Sequence, residues 1–408
     1  MDERRPTILS RSKRFLHRQF SRLKRVARRP CDHKTSLSLQ DQLIEKITFV
    51  EKQIRSQRRI IATLRQSLAS PNLGAHAREE SRSLKQRISW AESRINEYQL
   101  LRCICLDIGD GLAFTFLDKF DITPMAFKCA PGFISCKKGS RLERQYLKKC
   151  FQEGKMAILN DLTNCLRYGD VTIFEDSKVI FAEVKTGERL GKRGTRQLKN
   201  LDELVNYLRD DTTIAEFDGQ TVPMKRVALA APEAHHREAL NRLIAHSVKA
   251  GSSYIEAEEG LYYIVERSNH FLLPEVTAKV KGQSLVANIN AFKHNNVAFY
   301  PFTLSLQDPK SLYDFYTGEF VLIVVVDSAR LCGLLEPHNL SIELLHDEDW
   351  ACSITKNIHP DASADEIMGV KVGVHFWTRL PVEFMSLEWF VAELIAKFHE
   401  SAVCEAEM

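Results

Sequence analysis

With 408 residues, 44% of them hydrophobic and 27% charged, the chain is excluded from the collagen-like, low-complexity and wholly disordered classes, and its length fits two to three domains. Its longest apolar run, Phe320 to Val326, has seven residues where a spanning helix needs about 20, so no integral membrane segment is expected. The net charge of +4 conceals an asymmetry: residues 1–34 carry twelve Lys or Arg against three acids, and the remainder is mildly acidic.

Asp2, Glu3, Arg4 and Arg5 open the chain with no apolar core behind them, so a secretory signal is not expected. Ten cysteines lack any CxxC spacing and read as free thiols of a reducing, cytoplasmic compartment. From Leu9 onward, Leu16, Phe20, Leu23 and Ala27 fall three or four apart, on one face of a helix otherwise covered by Arg and Lys. Such a helix suits nucleic-acid phosphates, an anionic membrane surface or an acidic partner; the plainer alternative is a solubilising extension. Residues 1–36 are expected to form this basic tail.

Residues 37–105 carry the clearest periodicity. Leu43, Ile47, Val50, Ile54, Gln57, Ile61, Leu64 and Leu68 alternate at spacings of four and three, an a/d seam with one polar interruption. Ser70-Pro71-Asn72-Leu73-Gly74 breaks the helix, and Leu84, Ile88, Ala91, Ile95 and Tyr98 form a second seam. Two such helices predict an antiparallel hairpin. It serves either as a dimerisation or partner-binding arm or as a hairpin packed on its own body. Gly109-Asp110-Gly111 reads as a loop or break, and 122–140 as a connector.

The segment from Gly169 to Lys185 carries the chemistry. Asp176-Ser177 is a turn signal between two β-prone runs. A two-residue loop there pairs Glu175 with Lys178, and the same register sets Asp170 opposite Glu183, with Cβ atoms about 4.5–5.5 Å apart. Alternation then points Glu183 and Lys185 to one face. Val179 and Phe181 share that face, so it is expected to be partly buried. Two carboxylates and an ammonium thus converge. Like charges placed opposite each other are destabilising, and a divalent cation is their natural compensation. Acid-x-Lys triplets occur five times in the chain and mean nothing alone; the apolar strand, the acid in register and the helix that follows distinguish this one.

This arrangement resembles the PD-(D/E)xK nuclease superfamily, with Asp170 as first acid and Glu183-Val184-Lys185 as the ExK element. Gly169 stands where a proline often precedes the first acid. The resemblance covers residues 137–211. It implies a restriction-endonuclease-like mixed sheet flanked by helices, and Mg²⁺ or Mn²⁺ held by Asp170 and Glu183. Asp170, Glu183 and Lys185 are then catalytic, in phosphodiester hydrolysis of nucleic acid, with DNA first, in a restriction-like or prokaryotic defence role.

Gln197 resembles the glutamine that some members carry after the lysine. The preceding helix often supplies a further carboxylate; Glu143, Glu153 and Asp161 compete, and Glu153 is chosen because it opens a helical run read from Lys155 to Arg167. Arg189, Lys192, Arg193, Arg196 and Lys199, among Gly187, Gly191 and Gly194, suit phosphate contacts at a helix N-terminus. The alternative is a non-catalytic nucleic-acid-binding or assembly protein on a nuclease-like scaffold.

Beyond 212 a second α/β region is expected. Its predicted strands are 226–231, 262–265, 297–304 and 320–326, the last buried in a sheet centre. Helices are predicted over 233–248 and 386–399. The expected organisation is a tail (1–36), a coiled-coil hairpin (37–105), a nuclease-like core (106–211) and the α/β region (212–408).

Overall fold

The computed structural model describes residues 7–69, 77–126, 132–137, 139–175, 178–184, 205–207, 209–217, 220–225, 228–267, 271–293, 299–345, 347–356 and 369–406. The chain divides into two compact units, Met1–Met224 with Pro301–Leu304, and Lys225–Tyr300 with Ser305–Met408. The content is mixed helix and strand, and every strand register resolved is antiparallel.

The first unit opens with helix α1 (Ile8–Arg28), where the Thr7 side chain accepts the Ser10 N–H at 3.1 Å, an ordinary N-cap. Leu16, Phe20, Leu23 and Val26 are fully buried against α3 (Ala77–Phe116) and α2 (His33–Ala69). The basic segment is therefore a structural helix rather than a tail. Its apolar stripe was legible; Val26, not Ala27, completes it, because the receptor for that stripe lies in distant sequence. Arg11, Arg14, Arg18, Arg25 and Arg29 stay exposed.

Helices α2 and α3 form the predicted antiparallel hairpin. Arg65 meets Glu92 and Arg102 meets Glu51, each at 2.9 Å, so rising numbers on one helix face falling numbers on the other. The hairpin packs on its own unit. The Gln40 side chain donates to Ala157 O at 2.8 Å and accepts the Leu159 N–H at 3.0 Å. Asp110 accepts the N–H groups of Asn164 and Cys165 at 2.6 and 3.0 Å. Gly109-Asp110-Gly111 is neither loop nor break: α3 runs through it. The glycines serve close approach, since a Cβ on Gly109 would lie 1.8 Å from Leu162 O and one on Gly111 2.6 Å from Leu23 Cδ2.

After α4 (Lys119–Ala126) and a 3₁₀ turn at Ile134–Cys136 come α5 (Ser140–Gln152), β1 (Met156–Leu159), β2 (Val171–Glu175) and β3 (Lys178–Ala182). The sheet order is β1-β2-β3, an antiparallel meander where a mixed sheet was expected. The helical run read from Lys155 to Arg167 is instead β1 followed by a 3₁₀ turn at Asn160–Leu162. Gly154, at φ +76°, reverses the chain after α5, and all four β1 residues are buried. A short all-apolar run does not declare its period. On β3, Phe181 is buried but Val179 and Ile180 are exposed, so the face shared by Val179 and Phe181 is buried only at one end. Strands β4 (Thr212–Phe217) and β5 (Gln220–Lys225) pair separately.

The second unit holds a four-stranded sheet, β6 (Ser252–Glu258), β7 (Leu261–Glu266), β8 (Ser284–Asn288) and β9 (Val321–Asp327), in the order β6-β7-β9-β8. The apolar β9 lies inside it, as predicted. A three-stranded sheet, β10 (Leu340–Leu344), β11 (Trp350–Lys356) and β12 (Gly369–Gly373), and helices including α6 (Arg237–Ala250) and α7 (Leu387–Ala406) complete it. The strand predicted at 226–231 is not one where described: Ala230 and Ala231 donate to the Glu393 carboxylate at 3.1 and 2.8 Å. Phe302–Ser305, which overlaps the strand predicted at 297–304, is helical. Among the described residues no helix is long and apolar enough to cross a membrane, and the described cysteines are free thiols.

Candidate active site

The β2–β3 register is the predicted one, from Glu175↔Lys178 to Val171↔Ala182, and the ladder ends there, one pair short of Asp170 and Glu183. Gly169 has φ +71°, with Ala182 O 3.0 Å from where a Cβ would stand. A left-handed residue under a neighbouring strand calls for glycine, which accounts for Gly169 where the resemblance suggests proline. The Asp170 N–H donates to Ala182 O at 2.8 Å. Its Oδ2 accepts the Val184 N–H at 2.9 Å. Asn160 holds the approach, its side chain donating to Tyr168 O at 2.6 Å and accepting the Thr172 hydroxyl at 2.8 Å.

Three carboxylates from three segments meet one ammonium. Lys137 Nζ lies 2.9 Å from Asp170 Oδ1, 3.0 Å from Asp161 Oδ2 and 3.1 Å from Glu143 Oε1. Glu143 is 2% exposed. It lies on the buried stripe of α5 with Leu147 and Cys150, and a Cβ on Gly139 would crowd its Oε1 at 2.9 Å. Its other oxygen, Oε2, is buried with no hydrogen-bond partner among the described residues. Burial pushes the Glu143 carboxyl up to about 7, against the pull of Lys137. Burial also disfavours the Lys137 charge, but Asp161 and Asp170 outweigh it and hold the ammonium above the usual lysine range.

Lys137 is positioned from the helical hairpin. Fully buried Glu51 accepts the N–H groups of Ile134 and Ser135 at 3.2 and 2.8 Å and pairs with Arg102, whose guanidinium also donates to Gly132 O at 2.9 Å. The segment that ends in Lys137 is thus fixed to α2 and α3.

Glu153 is not part of this cluster. It pairs with Lys155 at 3.4 Å, which also meets Glu175 at 3.5 Å. Glu175 stands five residues from Asp170 along β2, about 17 Å at strand rise. The strand identity of β1 sends Glu153 to the wrong end of the sheet, while Glu143 and Asp161 arrive beside Asp170. Lys185, Arg189, Lys192, Arg193, Arg196, Gln197 and Lys199 lie outside the described residues. Sequence reasoning missed Lys137, and the connector around it has no periodicity to mark it. Glu143 did carry a signal, its place on the apolar stripe of α5.

Among the described residues no group of three or more His, Cys, Asp or Glu is set to hold a metal ion; the carboxylates enclose Lys137 instead. The donor chemistry nonetheless suits a hard divalent cation, being all carboxylate oxygen with one buried oxygen unused. Compared with known families, curated proteins and solved structures, the chain matches no family model, no curated protein and no solved structure.

Proposed function

We propose that the chain is a metal-dependent nuclease that hydrolyses phosphodiester bonds of nucleic acid, DNA in the first instance. The observation that carries this reading is the convergence of Glu143, Asp161 and Asp170 on one cationic point, at the end of the β2–β3 hairpin. Asp170 and Glu183 would hold Mg²⁺ or Mn²⁺, with Glu143 as a further oxygen source. Such an ion, when bound, activates a water and offsets charge developing on the phosphodiester. The chain's own part is orientation and charge. The Val184 N–H fixes one oxygen of Asp170 and leaves the other towards the cluster. Lys137 offsets anionic charge beside it. Lys185 is proposed to position the attacking water or to neutralise the transition state.

A second reading, a non-catalytic nucleic-acid-binding protein, is favoured by Lys137 itself, whose ammonium already neutralises part of the cluster. Cleavage of plasmid and single-stranded DNA in Mg²⁺, Mn²⁺ and EDTA, run beside Asp170→Ala, separates the two. The nuclease reading expects metal-dependent cleavage that EDTA and the substitution both abolish. Cleavage surviving in Asp170→Ala, or binding without cleavage under every metal, overturns it.

A further inference from the structure

A groove of about 570 Å³ is lined by α2, α5 and the 134–137 segment. Five of its lining residues are cationic, Lys52, Lys137, Arg141, Arg144 and Lys148, and none is acidic. The helical period puts them there. On α2, Ile44, Thr48 and Lys52 recur every fourth residue; on α5, Arg141, Arg144 and Lys148 share one stripe. The opposite stripe of α5 carries buried Glu143, Leu147 and Cys150. One helix therefore presents the carboxylate cluster on its inner side and the basic groove on its outer side. Lys137 belongs to both, its side chain lining the groove and its ammonium resting on the carboxylates.

Arg144 is partly committed, to Asp41 at 3.3 Å. Lys52, Arg141 and Lys148 are exposed and form no ion pair among the described residues. Cations facing one another across a groove focus a positive potential there and draw an anionic ligand to it. Arg141 and Lys148 stand seven residues apart, about 10 Å along α5. One strand of a duplex carries a charge per about 3.4 Å of helix axis, so that span reaches more than one phosphate of a strand rather than a single free one. Between the cations lie an apolar floor, Ile44 and Ile134, and the donors Thr48 and Gln145. That pattern suits sugar faces alternating with phosphates.

We propose that this groove seats the sugar-phosphate backbone of a nucleic-acid strand beside the carboxylate cluster. Lys52, Arg141 and Lys148 are its phosphate contacts, and α2 of the helical hairpin forms one wall. The placement beside the reacting centre rests on the nuclease reading; the binding does not. It makes the hairpin a substrate-holding element rather than a dimerisation arm.

The test is binding of a labelled 30-nucleotide single strand and of its duplex, titrated over a salt series in EDTA, where nothing is cut. The variant combines Lys52→Gln, Arg141→Gln and Lys148→Gln, all exposed, and its thermal unfolding is checked against the parent. Each phosphate contact contributes about 0.7 to 0.9 to the slope of log affinity against log salt. The triple variant should lose about two to three units of slope and at least about tenfold in affinity near 0.1 M salt. A parent chain that binds neither form, an unchanged slope in the variant, or displacement by poly-glutamate more readily than by unlabelled strand each overturns the proposal. Loss of the slope from Arg14→Gln/Arg18→Gln on α1 while the groove variant keeps it also counts against it. Because the titration needs no cleavage, a chain that binds through the groove yet never cuts retains this inference and sinks the nuclease reading. A chain that cuts with an unchanged slope does the reverse.

Discussion

Two buried glutamates of the first unit meet the same short segment, residues 134–137, with opposite outcomes. Glu51 is closed: its two oxygens take the Arg102 guanidinium and two backbone N–H groups. Glu143 is open: one oxygen shares a single ammonium with two other carboxylates, and the other finds no partner among the described residues. The closed arrangement satisfies what burial demands and holds a loop still. The open one carries more negative charge than its cation offsets, so it keeps capacity for something further.

Breaking the closed side should cost most. Glu51→Leu removes the carboxylate from Arg102 and the acceptor from the Ile134 and Ser135 N–H groups, and should destabilise the unit by about 3–5 kcal/mol in urea unfolding. A loss below about 1 kcal/mol would erase the distinction. On the open side, Lys137→Met leaves Glu143, Asp161 and Asp170 without their counter-charge. In EDTA it should lower stability by about 1–3 kcal/mol, and millimolar Mg²⁺ should add more stability to the variant than to the parent. A melting temperature indifferent to Mg²⁺ would close the site in the same sense as Glu51.

The pH response sharpens the comparison further. Glu143 titrates near 7 when folded and near 4.5 when unfolded. The folded chain therefore binds more protons between those values, and stability falls as pH rises through that window. The part due to Glu143 is present below about 4.5 and lost above about 7. In Glu143→Gln the decline across pH 5–7.5 should flatten, as followed by thermal unfolding; an unaltered slope would assign the decline to other groups. The smallest effect is expected at Glu153, which pairs with Lys155 away from the cluster. Glu153→Ala, on a half-exposed side chain, should change stability by less than about 0.5 kcal/mol and leave any cleavage rate untouched.

The β2–β3 register was legible because a hairpin is local: one turn dipeptide and two β-prone runs determine which residues face each other. The choice among Glu143, Glu153 and Asp161 was not, because it depended on whether Met156–Leu159 was strand or helix, and four apolar residues buried on both faces look alike in either. For α1 the apolar stripe was visible but its destination was not; Leu23 packs where Gly111 leaves space, and that glycine by itself reads as a break. Lys137 has no local signature. Its place is set by Glu51 and Arg102, eighty-six and thirty-five positions before it, and such long-range satisfaction of charge is invisible to periodicity.

Gln40 adds a consequence of another kind. Its carboxamide both donates to and accepts from β1, at Ala157 and Leu159, so a single buried side chain imitates the peptide group of an adjoining strand. That border of the sheet is thereby sealed against templating, in which an unpaired edge recruits a strand from another molecule. The seal is made by an amide anchored in a long helix, so it holds only while α2 is docked. Whenever that helix lifts away, β1 regains an uncovered row of hydrogen-bonding groups, and chain-to-chain pairing would begin there.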